Sequence, residues 1–437
     1  MLKSMTVLPL FLLIISTILS GFVYQAAAMT GLLMLIWFSL SIRSSVQTGV
    51  ISHYTLSYVM VVYLIWLNVA NSLSTIPIVS FLTMWTLAGL PITYLAWAIT
   101  PNADALWLRL RTILWLGGVF LAAWALWQVT NHVGQGQAVG PLLDRNAFAA
   151  LMNVFWFPAA YLFLTSKTSK NLWMPLLWGA GLFIISAALF VTASRGGIAT
   201  WLLLLPVLLW AGWRYTKAKW WVACIPLIAL LAYAISANLG VDTNIAHRSY
   251  ALSQDPSTSA RLLLWQSAIQ MTLAQPFSGT GWGTFVNYYP AYRSPLESAS
   301  HGGYAHNDYL QLAAEGGILA LLLQLGVMLG LLFQLRRSLK CVADAASLES
   351  VALLLGALAL FIHAMVNFIF YFAFMDILAG LYLARATQLV ESAKLMKLPH
   401  FEKISRPIKN MLAGFVFLLL AAPLIIYLTR QLYAIAS

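Results

Sequence analysis

Runs of about 20 apolar residues dominate this chain, and short polar segments separate them. A run of this length is enough for one helix to cross the hydrocarbon core of a bilayer. The runs before residue 238 lie at 6–24, 27–42, 50–70, 76–99, 112–130, 147–165, 173–193, 197–213 and 220–237, and later ones lie at 316–335, 351–383 and 411–428. The pattern predicts an all-α integral membrane protein.

The stretch 351–383 is too long for one straight crossing, and Asn367 to Tyr371 lies at its centre as a plausible turn. We therefore expect a helical hairpin there, which gives 13 spans, or 12 if the last apolar run only lies on the surface. The chain divides into an N-terminal membrane domain of nine helices (1–237), a loop (238–315) and C-terminal membrane helices (316–437) that include a basic segment at 385–409.

The loop is the only long segment that could not lie in a bilayer. It contains three of the seven histidines, three arginines and five acidic residues, although only 8% of the whole chain is charged. The spacing of apolar residues after Pro256 and again after Asn307 is helical, so we expect the loop to be partly helical. The concentration of reactive side chains indicates that the chemistry takes place here.

Composition excludes a soluble domain, because 61% of the residues are hydrophobic. The net charge of +12 does not indicate nucleic-acid binding, since the basic residues come in small groups between apolar runs. Placing Lys3 in the cytoplasm puts 18 of the 24 basic residues on that side, as the positive-inside rule requires. The loop then faces outward. Cys224 and Cys341 suggest neither a disulfide nor a metal site.

The remaining six basic residues are all arginines, although the chain has ten lysines: Arg145, Arg195, Arg248, Arg261, Arg293 and Arg430. A guanidinium binds two phosphate oxygens at once and stays charged when partly dehydrated. This choice of residue predicts a phosphate or pyrophosphate site on the outer side of the membrane. The alternative is that six is a small sample and that some of these arginines cap helices.

Two outward junctions contain such arginines. Ser194-Arg195-Gly196-Gly197 joins two predicted spans, and its glycines would let the backbone and the following helix N-terminus approach an anion. The same glycines would suffice for a plain turn. Asp144-Arg145-Asn146 is either a second contact point for the substrate or an ordinary ion-paired helix cap.

Two further motifs lie inside the loop. Ser257-Thr258-Ser259 precede a helical pattern, which places Arg261 in the first turn, where a cation opposes the helix dipole unless an anion is near. The glycine-rich turn Gly279–Gly283 carries Trp282, which could stack on a sugar or could anchor a packed loop.

The segment Gly302–Gln311 is the strongest candidate for chemistry. Its glycines end the loop, a helix begins near Asn307, and His306 therefore lies at a boundary close to the membrane surface. A histidine can accept a proton near neutral pH, as a general base acting on a hydroxyl must. Alternatively, His306 has only a structural role and forms its hydrogen bonds with Asp308 or with backbone groups. Tyr304, Asn307 and Asp308 are possible substrate contacts, as are Arg145, Asn146, Arg248 and Arg293.

Few polar residues lie inside the other predicted spans: Asn68, His363, Asn367 and Asp376. We expect them to pair structurally, because they lack the distribution of a proton relay. Spacings typical of metal ligands, such as HExxH or CxxC, do not occur on the outward side, and nothing indicates a nucleotide site.

Together these features resemble the O-antigen ligases. The resemblance rests on the many spans, the outward S-R-G-G junction, the S-x-R before a loop helix and the H-N-x-Y-L-Q-x-x-x-E-G-G segment, and it is clearest from Asp144 to Gly330. It implies an integral membrane glycosyltransferase of GT-C type in the bacterial inner membrane, with its active site facing the periplasm and no cofactor or metal. It also implies that Arg195, Arg261 and His306 are essential.

The function that follows is transfer of polysaccharide from undecaprenyl pyrophosphate to a sugar hydroxyl of the lipid A core, with inversion. His306 would be the general base, and Arg195 and Arg261 would bind pyrophosphate. The expected partners are the carrier-linked O-antigen, the lipid A core and membrane lipids, without nucleic acid. An O-antigen polymerase or a protein O-oligosaccharyltransferase is the alternative, and a transporter or flippase of the lipid-linked glycan is an alternative of another class.

Overall fold

A computed structural model describes residues 12, 16, 23–48, 50–100, 103–133, 138–142, 144–166, 173–216, 219–239, 256–297, 300, 302–341, 344–391, 394–397, 425 and 429. Arg248, Arg430 and almost all of the predicted spans 6–24 and 411–428 lie outside these residues. The helices of this part are α1 (Val23–Thr48), α2 (Thr55–Ser72), α3 (Pro77–Leu87), α4 (Gly89–Ala98), α5 (Ala103–Thr130), α6 (Arg145–Thr165), α7 (Trp173–Val191), α8 (Arg195–Tyr215), α9 (Lys219–Ser236), α10 (Pro256–Ala274), α11 (Phe285–Tyr292), α12 (Asp308–Lys340), α13 (Ala345–His363) and α14 (Ala373–Val390).

The fold class is confirmed, because these helices form an all-α integral membrane protein. Within the described residues, nine helices are long and apolar enough to cross a membrane. The pair α3 and α4, bent by 42° where they meet, makes a tenth candidate, and α1 contains a shorter apolar helix at 27–43. The predicted hairpin is present as α13 and α14, with its turn at 364–372.

Two predicted spans begin elsewhere. The span placed at 50–70 starts at Thr55, because Val50–His53 form a short strand, β1, that pairs antiparallel with β2 (Lys394–Lys397). The span placed at 112–130 starts at Ala103. Two of the three charged residues of this added segment form ion pairs with other helices: Arg111 pairs with Glu349 over 3.3 Å, and Asp104 pairs with Arg385.

The helices differ in how deeply they are buried. The most apolar window of α6 is 94% buried and that of α13 is 83% buried, whereas that of α9 is only 28% buried. Helices that are apolar on all sides belong either in a protein core or against lipid. Thus α6, α13 and α14 form the centre of the bundle, and α9 and α2 lie at its edge.

The loop helices pack at one end of this bundle. Leu264 and Met271 of α10 and Phe285 and Tyr289 of α11 form a small core with Ala314 of α12. Helix α12 continues from this small core into the bundle, with a break at Gly317, whose φ is 74°. A Cβ at Gly317 would lie 2.1 Å from the Phe277 carbonyl oxygen, so only glycine allows the 276–278 turn to approach this closely.

Candidate active site

Two helix N-termini lie side by side at the loop end of the bundle. Asp144 caps α6, with its Oδ1 accepting a hydrogen bond from the Ala147 amide over 2.6 Å. Ser194 caps α8 by accepting from the Gly197 amide over 3.3 Å, and its hydroxyl donates to Asn146 Oδ1 over 2.8 Å. The two junctions that the sequence picked out are therefore joined directly to each other.

An arginine is the first residue of both helices, Arg145 in α6 and Arg195 in α8, and both are partly buried. A helix N-terminus carries a partial positive charge, so an arginine in the first turn is unfavourable unless an anion compensates it. Two such N-termini in contact bring two arginines and one capping carboxylate, Asp144, to the same place.

The glycines of the α8 junction permit close approach of two neighbours. A Cβ at Gly197 would lie 2.5 Å from the Ala149 Cβ of α6. A Cβ at Gly196 would lie 3.0 Å from His363 Nε2, at the end of α13. The glycines therefore serve close packing, because they let α6, α8 and the 364–372 turn come together. This role is compatible both with a plain turn and with an anion-binding junction.

His306 lies beside this turn. Its Nδ1 is 3.1 Å from Asn367 Oδ1, and its ring lies edge-on to that of Phe368, with ring centroids 5.2 Å apart. With the Asn367 amide oxygen turned toward the ring, Nδ1 carries the proton and the lone pair is on Nε2. No hydrogen bond to Nε2 comes from the described residues. The geometry therefore gives His306 the tautomer that a general base at Nε2 requires.

Four effects act on the pKa of His306. Burial lowers it most and the charge of Arg261 lowers it further, whereas the hydrogen bond to Asn367 and the charge of Asp144 raise it. The net pKa is below the ordinary histidine value. The residue is consequently neutral, and able to accept a proton, at neutral pH. Its backbone φ of 52° is unusual for a residue other than glycine and marks a tightly held position.

Asp308 has a structural contact rather than a contact with His306. Its Oδ2 accepts hydrogen bonds from the amides of Ile369 and Phe370 over 2.7 and 2.8 Å, and its own amide donates to the Ala364 carbonyl over 2.9 Å. These bonds attach the 364–372 turn to the start of α12. The partner of His306 is therefore Asn367, and not Asp308 as one alternative had it. Asn307 caps α12 by accepting from the Leu310 amide.

Glu315 ties the glycine-rich turn to the same structure. Its carboxylate accepts from the amides of Gly283 and Phe285 over 2.7 and 3.1 Å, and from the Tyr371 hydroxyl over 2.6 Å. Trp282 is fully buried, and its ring nitrogen donates to the Leu67 carbonyl. The structure therefore supports the interpretation of Trp282 as the anchor of a packed loop rather than as a platform for a sugar.

Arg261 lies in the second turn of α10, because that helix already begins at Pro256. The expectation of a first-turn position was wrong; proline is well suited to the first helical position, so the serines and threonine that follow it are helical themselves. The charge of Arg261 nevertheless acts on both His306 and His363. Arg261 is therefore close to the α8 junction and to His306.

The other predicted contacts have different surroundings. Arg293 forms an ion pair with Glu297 over 3.0 Å and also donates to the Ser300 carbonyl, so it braces the loop. Tyr304 stacks on Phe368, with ring centroids 4.1 Å apart, and so forms one wall near His306.

Asn367 and Phe368 are the residues that sequence reasoning undervalued. Both lie in the hairpin turn, where polar residues were expected to pair structurally, yet they orient His306. The available signal was the position of Asn367 at the centre of an apolar hairpin. In the part of the chain that the structure describes, no group of three or more His, Cys, Asp and Glu side chains could hold a metal. The two cysteines are free thiols.

The fold and this end of the bundle define a multi-pass membrane protein with a basic, histidine-bearing site built from four helices, a loop and a hairpin turn. Residues 180–325, about a third of the chain, match the family model described as O-antigen ligase. This match supports membership of the O-antigen ligase superfamily for the chain, of the ligase or polymerase type. No curated protein and no solved structure matches it.

Proposed function

We propose that this protein is an O-antigen ligase of GT-C type. It would transfer polysaccharide from undecaprenyl pyrophosphate to a sugar hydroxyl of the lipid A core, at the periplasmic face of the bacterial inner membrane. The observation that carries the proposal is a neutral His306 whose Nε2 lone pair is unused by the described residues. It lies close to Arg261, and the 364–372 turn links it to the α8 N-terminus that carries Arg195. Arg195, Arg261 and His306 all fall within the matched residues 180–325.

The reaction is a single displacement at the anomeric carbon of the donor. Nε2 of His306 removes the proton of the acceptor hydroxyl while its oxygen forms the new bond to that carbon. The bond from the carbon to the pyrophosphate oxygen breaks, and its electron pair leaves with the pyrophosphate. Attack from the side opposite the leaving group inverts the configuration.

The arginines supply the electrostatic part of catalysis. Negative charge grows on the pyrophosphate as the bond breaks, and Arg195 and Arg261, with the N-terminus of α8, stabilise it. Fixed donors are effective because they need no reorganisation during the reaction. In this proposal the guanidinium groups take the place of a divalent cation, so the reaction is independent of metal.

A transfer assay with purified protein tests the proposal. The substrates are undecaprenyl-pyrophosphate-linked polysaccharide and lipid A core, with and without EDTA. We expect a new lipopolysaccharide band of high mass that EDTA does not reduce. Longer carrier-linked chains would instead identify a polymerase, transfer to protein an oligosaccharyltransferase, and movement of the glycan without bond formation a transporter. Loss of activity with EDTA, restored by a divalent ion, would overturn the metal-free step.

Asn367→Asp should shift the pH dependence of kcat/KM. The wild-type activity falls only when the pH drops through the lowered pKa of His306, since the protonated ring cannot act as a base. A carboxylate at position 367 favours the imidazolium and raises that pKa, so the acid limb should move up by about one pH unit or more.

Asn287→Asp is the matched control for this shift, because Asn287 is an exposed residue of α11. Its pH profile should coincide with that of the wild type. An acid limb that stays in place in Asn367→Asp would show that His306 does not set it.

A further inference from the structure

A second concave region is lined in part by the Tyr304 ring. It is an open cavity of about 210 Å³ between α3, the glycine-rich turn, α11 and the start of α12. Its walls include Thr83, Thr86, Val286, Tyr304, Gln311 and Tyr371. Neither the mechanism above nor the family match assigns it a role.

The lining residues indicate the chemistry of the ligand. None of them is Asp, Glu, Lys or Arg, in contrast to the arginine-rich α6 and α8 junctions, so a charged ligand would find no counter-charge. Hydroxyls, aromatic rings and an aliphatic side chain occur together. This combination suits a neutral sugar, which presents hydroxyl groups at its edge and C–H groups on its faces.

Two hydroxyls of this cavity are unused by the protein. Thr83 and Thr86 lie three residues apart on α3, hence on one face, and no hydrogen bond joins them to the described residues. Thr30 and Thr93 also lack a partner among the described residues, but they do not line the cavity. Because Thr83 and Thr86 do line it, a ligand in the cavity can form hydrogen bonds with both hydroxyls.

The opposite wall is rigid. The Gln311 side chain accepts from the Ala305 amide over 2.9 Å and donates to Glu315 over 3.1 Å. The Tyr371 hydroxyl donates to Glu315 as well. A ligand in the cavity therefore meets groups that are already fixed, which reduces the entropy lost on binding.

The cavity is near the proposed base. Tyr304 stacks on Phe368 at 4.1 Å, and Phe368 contacts His306 at 5.2 Å, both measured between ring centroids. One aromatic ring thus separates the cavity wall from His306. The N-terminus of α8 lies against His363 and Val366, and the charge of Arg261 acts on His306.

We propose that this cavity binds a neutral sugar unit of the acceptor, next to the hydroxyl that His306 deprotonates. The inference rests on the proposed function and adds the location and chemical class of the acceptor site. Thr83 and Thr86 donate to or accept from its hydroxyls, and Tyr304 forms one wall. The charged donor pyrophosphate and the neutral acceptor sugar then occupy separate regions.

The test compares steady-state kinetics of the wild type with those of Thr83→Val/Thr86→Val, which keeps side-chain shape and removes both hydroxyls. We expect KM for the lipid A core acceptor to rise about tenfold, because two hydrogen bonds are lost, while KM for the donor stays unchanged. Thr93→Val is the matched control. Thr93 is buried in α4 and does not line the cavity, so its variant should have wild-type constants.

A second variant covers the case in which the double variant fails to fold. Val286 is 45% exposed on α11 and lines the cavity, so Val286→Trp should obstruct it without disturbing the core, whereas Val286→Ala should not. Binding of lipid-free core oligosaccharide, measured by saturation-transfer NMR without donor, should be lost only in the tryptophan variant.

The outcomes separate this inference from the proposed function. An unchanged acceptor KM together with unchanged oligosaccharide binding would overturn the acceptor site and leave the ligase activity intact. A rise in donor KM alone would show that the cavity holds a sugar of the donor, which also overturns it. If the wild type forms no glycosidic bond at all, the proposed function fails, and the NMR measurement still decides whether the cavity binds a neutral sugar.

Discussion

His306→Asn should reduce kcat/KM for polysaccharide transfer by roughly 10²–10⁴-fold, the usual contribution of a general base. Without Nε2, the proton of the acceptor hydroxyl has no acceptor as the new bond forms. Asparagine is preferred over alanine as the replacement because it tolerates the φ of 52° found at this position. The measurement is the rate of high-mass lipopolysaccharide formation by purified protein.

Two comparisons separate loss of the base from damage to the fold. His132→Asn provides a matched control, since His132 also has a positive φ, of 54°, but lies just beyond the C-terminus of α5 in an exposed position. It should retain wild-type activity. Donor binding by His306→Asn should be retained too, because the arginines are unchanged. Transfer by His306→Asn at more than about a tenth of the wild-type rate would exclude the role of general base.

Arg195→Lys and Arg261→Lys should each lower kcat by roughly 10²–10³-fold, the usual effect of removing one preorganised donor. Lysine keeps the charge but loses the planar pair of donors that binds two phosphate oxygens together. The loss should appear mainly in kcat, because the charge on the pyrophosphate grows as its bond breaks.

Arg214→Lys is the control on the same helix. Arg214 lies in the last turn of α8 and donates to the Leu339 carbonyl, at the end of the helix opposite Arg195. Its replacement should change kcat less than twofold. Near-normal kcat in both Arg195→Lys and Arg261→Lys would argue against bidentate binding of the pyrophosphate, even if the alanine variants were inactive.

Much of the architecture followed from the sequence, because the bilayer imposes a length on each apolar run. The hairpin of α13 and α14 is an example, since an uninterrupted stretch at 351–383 had to turn near Asn367. The residues at which the helices begin were less predictable. Helix α5 begins at Ala103 because charged residues in its first turns form ion pairs with α13 and α14. Hydropathy cannot register such pairing.

The candidate site was partly predictable, because residue chemistry alone selects some of its members. A histidine at a loop-to-helix boundary and arginines where lysines were available are local signals, and they selected His306, Arg195 and Arg261. The same reasoning gave Arg293 a substrate contact, whereas the structure pairs it with Glu297. A charge in a loop has the same local signal whether it binds a ligand or braces the chain.

By itself, then, the sequence determined that the chain is a bundle of membrane-spanning helices with a long polar loop. It also selected residues whose chemistry suits glycosyl transfer from a phosphate leaving group. Only the tertiary structure decided which of them meet. It joined Ser194 to Asn146 across 48 positions and His306 to Asn367 across 61, and it turned Asp308 toward the hairpin instead of toward His306. Such contacts depend on how close-packed helices at the centre of the bundle are arranged, and no local pattern of residues encodes that arrangement.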